Sequence, residues 1–261
     1  MRVPGKWSKY SASLLTALVL LASTPVAANE EVTSSEWKKT FEVYGWLPNI
    51  YITSAEQDHI TLTLGDLVSN LKFMAMLDFG VQKDKWSMGA DTIYMHIGGS
   101  GETVSSRPIG DPIDIDVSVG MRAFISTFGG GYQFFGDNGH ELHGVFGARY
   151  LYIKVPIEID AVAEIGPEEG INLNPGGHNW DGIVGLRGKS TINEKWYTNY
   201  YLDIGAGDSK FTWQTKVGFG YQFNKFTGTF GFRYLKWDFG NSSDLDNLTV
   251  IGPYVGARWD W

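Results

Sequence analysis

The sequence predicts an all-β protein, an antiparallel transmembrane β-barrel of about ten strands with short turns at one end and longer loops at the other. Three observations predict it. Apolar and polar residues alternate with period two along most of the chain. Tight polar turns separate the alternating runs. No stretch approaches eighteen consecutive apolar residues, so a chain of this kind crosses a bilayer only with strands closed on themselves.

The runs place ten strands at approximately 40–53, 71–82, 85–98, 113–135, 140–159, 171–191, 195–206, 210–223, 226–240 and 247–261. The pattern is clearest near the end. Phe211, Trp213, Thr215, Val217, Phe219, Tyr221 and Phe223 interleave with polar or glycine positions, and Asn224-Lys225 turns the chain into Phe230, Phe232 and Tyr234 against Thr229, Gly231 and Arg233. Lys83-Asp84-Lys85, Gly136-Asp137-Asn138-Gly139 and Asn193-Glu194-Lys195 supply the other tight turns. Phe41 to Leu47 alternates more weakly. Leu64 to Leu71 reads as a short amphipathic helix in the first long connection, and a further hairpin around His59 to Leu64 would raise the count to twelve.

Residues 1–28 read as a secretory signal peptide: Arg2, Lys6 and Lys9, then the apolar Leu14 to Ala22, then Val26-Ala27-Ala28 as a small-residue cleavage site. The barrel domain is expected to occupy 29–261. The whole chain carries a net charge of −8, and removal of three basic residues with the signal makes the mature protein more acidic still. With no basic excess to neutralise phosphates, a general nucleic-acid partner is excluded. Zero cysteines exclude disulfides, thiolate metal sites and a cysteine nucleophile. Charged residues make up 19%, below the ~25% of ordinary soluble domains, while aromatics reach 15%.

Alternation alone does not say which face meets lipid. A soluble calyx binding an apolar ligand would bury the aromatic face and expose Arg149, Arg187, Lys216 and Arg233. Glycines crowd the polar face (Gly89, Gly120, Gly147, Gly185, Gly218, Gly231), where they relieve crowding inside a narrow barrel. Aromatics recur near strand ends (Trp86, Tyr132, Trp180, Trp196, Tyr234), as interfacial girdles require. Each Arg or Lys on the lipid face at the midplane costs roughly 2–4 kcal/mol. Reversing the faces of five such residues would therefore cost on the order of 10–20 kcal/mol, a whole domain's stability.

The chain ends in Trp261, with Trp259, Ala257 and Val255 on the same face. This ending resembles the C-terminal recognition signal of outer-membrane barrels, whose final aromatic is read by the assembly machinery. Together with Gly220-Tyr221-Gln222-Phe223-Asn224-Lys225 and Gly231-Phe232-Arg233-Tyr234, residues 37–261 resemble the small, single-domain, poorly characterised members of the bacterial outer-membrane-protein β-barrel superfamily. The resemblance implies the outer membrane of a Gram-negative cell envelope. It implies lipid and lipopolysaccharide as surroundings, the barrel-assembly machinery as a partner through Trp259 and Trp261, and no cofactor. Larger members carry a peptidoglycan-binding domain after the barrel; none is expected here.

The lumen is expected to be lined by Arg122, Arg149, Arg187, Lys189, Lys216, Arg233 and Arg258, facing Glu42, Asp78, Asp91, Asp116 and Asp203. Two readings follow. The charges form a network of ion pairs that fills and stiffens the barrel, or the basic members line a narrow, porin-like, slightly anion-preferring path for small solutes. Ten strands give a backbone radius of roughly 10 Å, which leaves little free width beside inward arginines and favours the first.

Catalytic readings are weaker. None of the five histidines (His59, His96, His140, His143, His178) sits in a Ser-His pattern of a lipid-modifying enzyme. Omptin-like proteases share the ten-strand count, and Asp58-His59 with Asp111, Asp114 and Asp116 would lie near the outer rim, but the spacing does not match that family's motif. His140 and His143 face opposite ways on a strand, so they read as solvated turn residues and not as zinc ligands. Asp111, Asp114, Asp116, Glu164, Glu168 and Glu169 could ligate Ca²⁺ or Mg²⁺, though loop acids are more commonly just hydrated. No catalytic or metal-binding residue is assigned.

Overall fold

The computed structural model describes residues 36–54, 59–106, 113–163, 169–173, 176–240 and 245–261. The signal segment and the acids Asp58, Asp111, Glu164 and Glu168 lie outside the described residues, as do the side chains of His59, Asp114, Asp116 and Glu169.

In chain order the described elements begin with β1 (Lys38–Trp46), β2 (Asn49–Ser54), β3 (His59–Leu62), α1 (Leu64–Asn70), β4 (Leu71–Lys83), β5 (Trp86–Ser106) and β6 (Ile113–Asp137). They continue with β7 (His140–Lys154), β8 (Ile157–Ala163), β9 (Glu169–Leu173), β10 (Gly176–Thr191) and β11 (Trp196–Gly207). The last three are β12 (Phe211–Gln222), β13 (Thr227–Asp238) and β14 (Leu245–Asp260).

Ten of these strands close a barrel. The order β1-β4-β5-β6-β7-β10-β11-β12-β13-β14 is antiparallel throughout, and β1 pairs back onto β14 from Thr40↔Asp260 to Trp46↔Tyr254. Closure removes the free edges that an open sheet would leave. The backbone of Trp261 completes it, exchanging hydrogen bonds of 2.7 and 3.0 Å with Lys39.

Sequence and structure differ in how some runs are cut. The run 40–53 splits at Leu47-Pro48, and 140–159 splits at Val155-Pro156, because proline has no N–H to continue a ladder. After each break the chain pairs elsewhere. β2 joins β14 beyond β1, and β8 joins β6 beyond β7. The hairpin near His59 exists, but β3 pairs only with β2 and so lengthens the rim; the barrel count is ten, not twelve. The expected helix forms as α1, started by a capping box in which Thr63 and Asp66 bond reciprocally.

Tight turns gather at the end that holds both described termini. Asp84-Lys85 and Asn138-Gly139 are two-residue turns with positive φ at Asp84 (52°), Asn138 (48°) and Gly139 (82°). Asn-Gly is the preferred pair for a hairpin of this twist. At the opposite, loop end, β5 and β6 run to 21 and 25 residues, well beyond the 9–11 that cross a bilayer.

The exterior is apolar over a defined band. Phe219, Phe230 and Val184 point outward and are 41%, 46% and 55% exposed. Aromatic pairs mark its two borders: Trp86–Tyr132 and Trp196–Tyr221, both at 4.9 Å, at the turn end, and Tyr150–Trp180 (4.8 Å) and Trp213–Tyr234 (4.5 Å) at the loop end. On β12 the borders lie eight residues apart, which at a ~40° tilt is about 20 Å of height, near the ~25 Å belt of a membrane barrel. A closed barrel with this wall is the architecture of outer-membrane β-barrel proteins, and it excludes the soluble calyx.

Candidate functional site: the barrel interior

From the turn end upward, the lumen has three layers. The first is a cavity of about 510 Å³ bounded by Lys38, Thr40 and Asp260 at the mouth. A patch of one wall bears no side chains and leaves it room: Gly80, Gly89, Gly129 and Gly131 face it from β4, β5 and β6. The tightest part of that wall tolerates nothing larger, since a β-carbon at Gly129 would overlap the Phe146 carbonyl oxygen. Charged groups supply much of the remaining lining. Arg187 donates from Nη2 to Ser87 Oγ at 2.9 Å, and Arg258 donates to Asp260 Oδ1 from Nε at 2.9 Å and from Nη2 at 2.8 Å. Lys189 Nζ lies 4.5 Å over the Tyr197 ring, and Lys216 Nζ 4.9 and 4.5 Å over Tyr44 and Tyr254, as cation–π contacts. Glu42 accepts from Thr229 Oγ1 at 2.6 Å. Glu42, Asp78 and Asp91 stand opposite one another on β1, β4 and β5.

The second layer closes the cavity with two buried arginines. Arg149, fully buried on β7, pairs with Asp203 of β11 and donates to Thr127 Oγ1 (3.1 Å) and Thr212 Oγ1 (3.0 Å). Arg233 of β13 pairs with Asp91 Oδ2 at 2.9 Å and donates to Tyr44 OH (2.9 Å) and Gln214 Oε1 (2.7 Å). Tyr44 in turn donates to Asp91 Oδ1 at 2.5 Å. Buried charge persists only when paired and hydrogen-bonded in this way.

Above it lies an apolar core. Trp46, Ile93, Met95, Ile97, Met121, Ile125, Leu151, Ile153, Leu235, Trp237 and Val250 are buried in contact, and Leu67 of α1 packs onto them. The Trp46 indole N–H is satisfied by the Gly252 carbonyl at 3.1 Å. Arg233 and Arg149 lie 4.9 and 5.9 Å beneath the Trp46 and Trp237 rings, which joins the two layers. A void within this core is about 20 Å³ and wholly apolar, so it remains dry. None of the core residues lines the 510 Å³ cavity.

Of the residues expected in the lumen, the structure brings Arg149, Arg187, Lys189, Lys216, Arg233, Arg258, Glu42, Asp78, Asp91 and Asp203 inside. Arg122 is a correction. It is exposed on the outer wall, because Met121, Ala123 and Ile125 turn into the apolar core and their neighbours on β6 must face out. Its distance from the Asn138-Gly139 turn was a usable signal: fifteen or so residues along a strand carry the chain past the bilayer, where outward charge is cheap. His143 is a second correction, for it is buried at the cavity wall with Glu141 Oε2 3.7 Å from Nε2, whereas His140 is exposed. The apolar core itself was not expected. Trp259 stacks on Phe41 at the outer wall, with ring centroids 6.2 Å apart.

No protein-family model and no curated protein matches the chain. Among solved structures it is similar to the translocator domain of the autotransporter NalP from Neisseria meningitidis, with 12% identity over 88% of this chain and 90% of that one and a TM-score of 0.41. It is also similar to Ail, the attachment invasion locus protein of Yersinia pestis (11%, 87% and 100%, TM-score 0.33), and to the monoaromatic hydrocarbon channel CymD (8%, 87% and 89%, TM-score 0.33). At these identities and scores no function carries over from any of them.

Proposed function

We propose that this chain is a non-enzymatic outer-membrane barrel that serves as an occluded structural component of the envelope and keeps a charged pocket open toward the periplasm. One observation carries the reading: the arginine layer and the apolar core lie in series across the barrel axis, above a cavity that reaches only the turn end. An ion entering that cavity would have to shed its water among Trp46, Leu151 and Trp237, which offer no compensating dipoles. The porin-like alternative requires a hydrated path, and the packing of Trp46, Leu151 and Trp237 supports the occluded reading over it. Trp259 and Trp261 are, on this reading, the end that the assembly machinery recognises.

Planar-bilayer recording of refolded protein tests it. The wild type is expected to stay silent, and Arg149→Ala and Arg233→Ala to stay silent as well, because the apolar core remains. Discrete, voltage-stable conductance steps from the wild type would overturn the occluded barrel in favour of a channel.

A further inference from the structure

On the outer wall, three cations and an imidazole stand side by side across four strands. His96 of β5 is directly opposite Arg122 of β6, and Arg122 is directly opposite Lys154 of β7. Lys72, at a register shift in β4, lies over Gly98, where an added β-carbon would sit 2.6 Å from its Cε. His96, Arg122 and Lys154 project outward, since Ile97, Met121, Ala123 and Ile153 beside them face the core, and Lys72 is exposed and lies over Gly98 next to them. Three strand intervals make the row about 14 Å wide.

The row is electrostatically unfinished. No carboxylate occurs in 70–73, 94–98, 120–124 or 152–156, and among the described residues none of Lys72, Arg122 and Lys154 is in an ion pair. Like charges placed opposite each other on a sheet repel, in a chain whose net charge is −8. Across the barrel one loop-end cation does have a partner, with Lys210 3.6 Å from Asp238. The Arg122 guanidinium is also held in place, its Nε donating to His96 Nε2 at 3.3 Å, which leaves both terminal nitrogens free to bind a ligand.

Height selects the ligand. Two residues below the row, Tyr94, Phe124 and Tyr152 form an outward aromatic line in the same register, and Phe73 packs on Tyr94 at 5.8 Å. Aromatic rings of this kind sit at headgroup level, with hydrocarbon beneath them. A molecule that satisfies both levels is an amphiphile whose acyl chains lie on the belt and whose phosphate meets the cations.

We propose that Lys72, His96, Arg122 and Lys154 form a binding site for the phosphorylated headgroup of an outer-leaflet lipopolysaccharide, with Arg122 and Lys154 as the principal phosphate contacts and His96 as a positioning residue for Arg122. This rests on the outer-membrane reading above. The site is one-sided and so fixes one face of the barrel against the lipid.

The test uses the full mature chain, refolded in detergent and titrated with bis-phosphorylated lipid A, with the same lipid A after phosphatase treatment, and with inorganic phosphate, all read by native mass spectrometry. Near an anionic surface each cation is worth about fivefold in affinity, so the Arg122→Ala/Lys154→Ala double variant is expected to bind bis-phosphorylated lipid A about 25-fold more weakly. Dephosphorylated lipid A should bind wild type and variant equally, and inorganic phosphate should not compete at millimolar concentration. A Lys210→Ala control on the opposite face should bind as the wild type does. Equal binding of the phosphorylated lipid by wild type and double variant would overturn the proposal, and competition by free phosphate would overturn its commitment to a lipid. Heat-modifiable gel migration and vesicle insertion are scored for every variant. Failure of the wild type to insert would overturn the membrane reading itself, whereas insertion without phosphate discrimination would overturn the site alone.

Discussion

The two halves of this barrel obey opposite rules with the same alternating sequence. In the turn-end half Phe230 and Val184 face out, and Arg233, Arg187 and Lys216 face in. In the loop-end half Met121, Ala123, Leu151 and Ile153 face in, while Arg122 and Lys154 are on the outer wall. The solvent outside decides which. Where hydrocarbon surrounds the wall, the interior is the only place for charge. Where the strands rise beyond it, the wall meets water and headgroups, and the interior packs as an ordinary hydrophobic core. The arginine layer of Arg149 and Arg233 marks the changeover.

Removing part of that layer has the largest expected effect. Arg149→Ala leaves Asp203 buried and uncompensated, and loss of one partner of such a pair costs about 3–5 kcal/mol. Urea titration of the protein folded into thin phosphatidylcholine vesicles would measure it. The Arg149→Ala/Asp203→Ala double variant should be more stable than either single one; if its loss equals the sum of the two single losses, the pair is not the unit that holds this level.

A scan with single charges sharpens the contrast between halves. Phe230→Lys puts a cation on the lipid face and should cost about 2–4 kcal/mol. Met121→Lys, one position from a residue that is already arginine, should cost at least as much, because it buries an unpaired ammonium in the apolar core. Arg122→Leu in the same vesicles should change stability by no more than about 0.5 kcal/mol. Similar costs for Met121→Lys and Arg122→Leu would mean that the loop-end core is not packed as described.

This division also sets how much could be read from the sequence. All ten barrel strands, the turn positions, the short helix and the inward set from Arg149 to Arg258 follow from period-two alternation and turn chemistry. The face of β6 at Arg122 did not, because alternation gives two faces without naming the medium outside each. Val117 to Ile125 looks like a lipid-facing run by the same logic that works for Phe73 to Val81. Distance along β6 from the Asn138-Gly139 turn separates the cases, and the three-dimensional register, which sets His96, Arg122 and Lys154 level with one another above Tyr94, Phe124 and Tyr152, does so directly. The breaks at Pro48 and Pro156 were visible as prolines, yet where the freed chain pairs next depends on which neighbouring strand outlasts its partner.

The smallest expected effect concerns the cover of the loop-end core. Leu67 of α1 is buried on that core, and its amide donates to the Thr63 carbonyl at 3.0 Å in the first turn of the helix. The turn is held by Asp66, whose Oδ2 accepts from the Thr63 backbone N–H at 2.8 Å and from its hydroxyl at 2.7 Å. These bonds keep the Asp66 carboxyl below the usual carboxylate range. A carboxyl whose folded pKa is depressed contributes stability that is complete above its unfolded value near 4, and loses it as pH falls through the folded value. Hydrogen exchange at the Leu67 amide, corrected for its intrinsic pH dependence, should therefore be protected at pH 6 and lose protection below pH 4. Strand amides of the turn-end half, such as those of β12, should keep theirs over the same range. Asp66→Asn should flatten the response at Leu67. If β12 lost protection in parallel, the two halves would open as one cooperative unit, and the loop-end core would have no stability of its own.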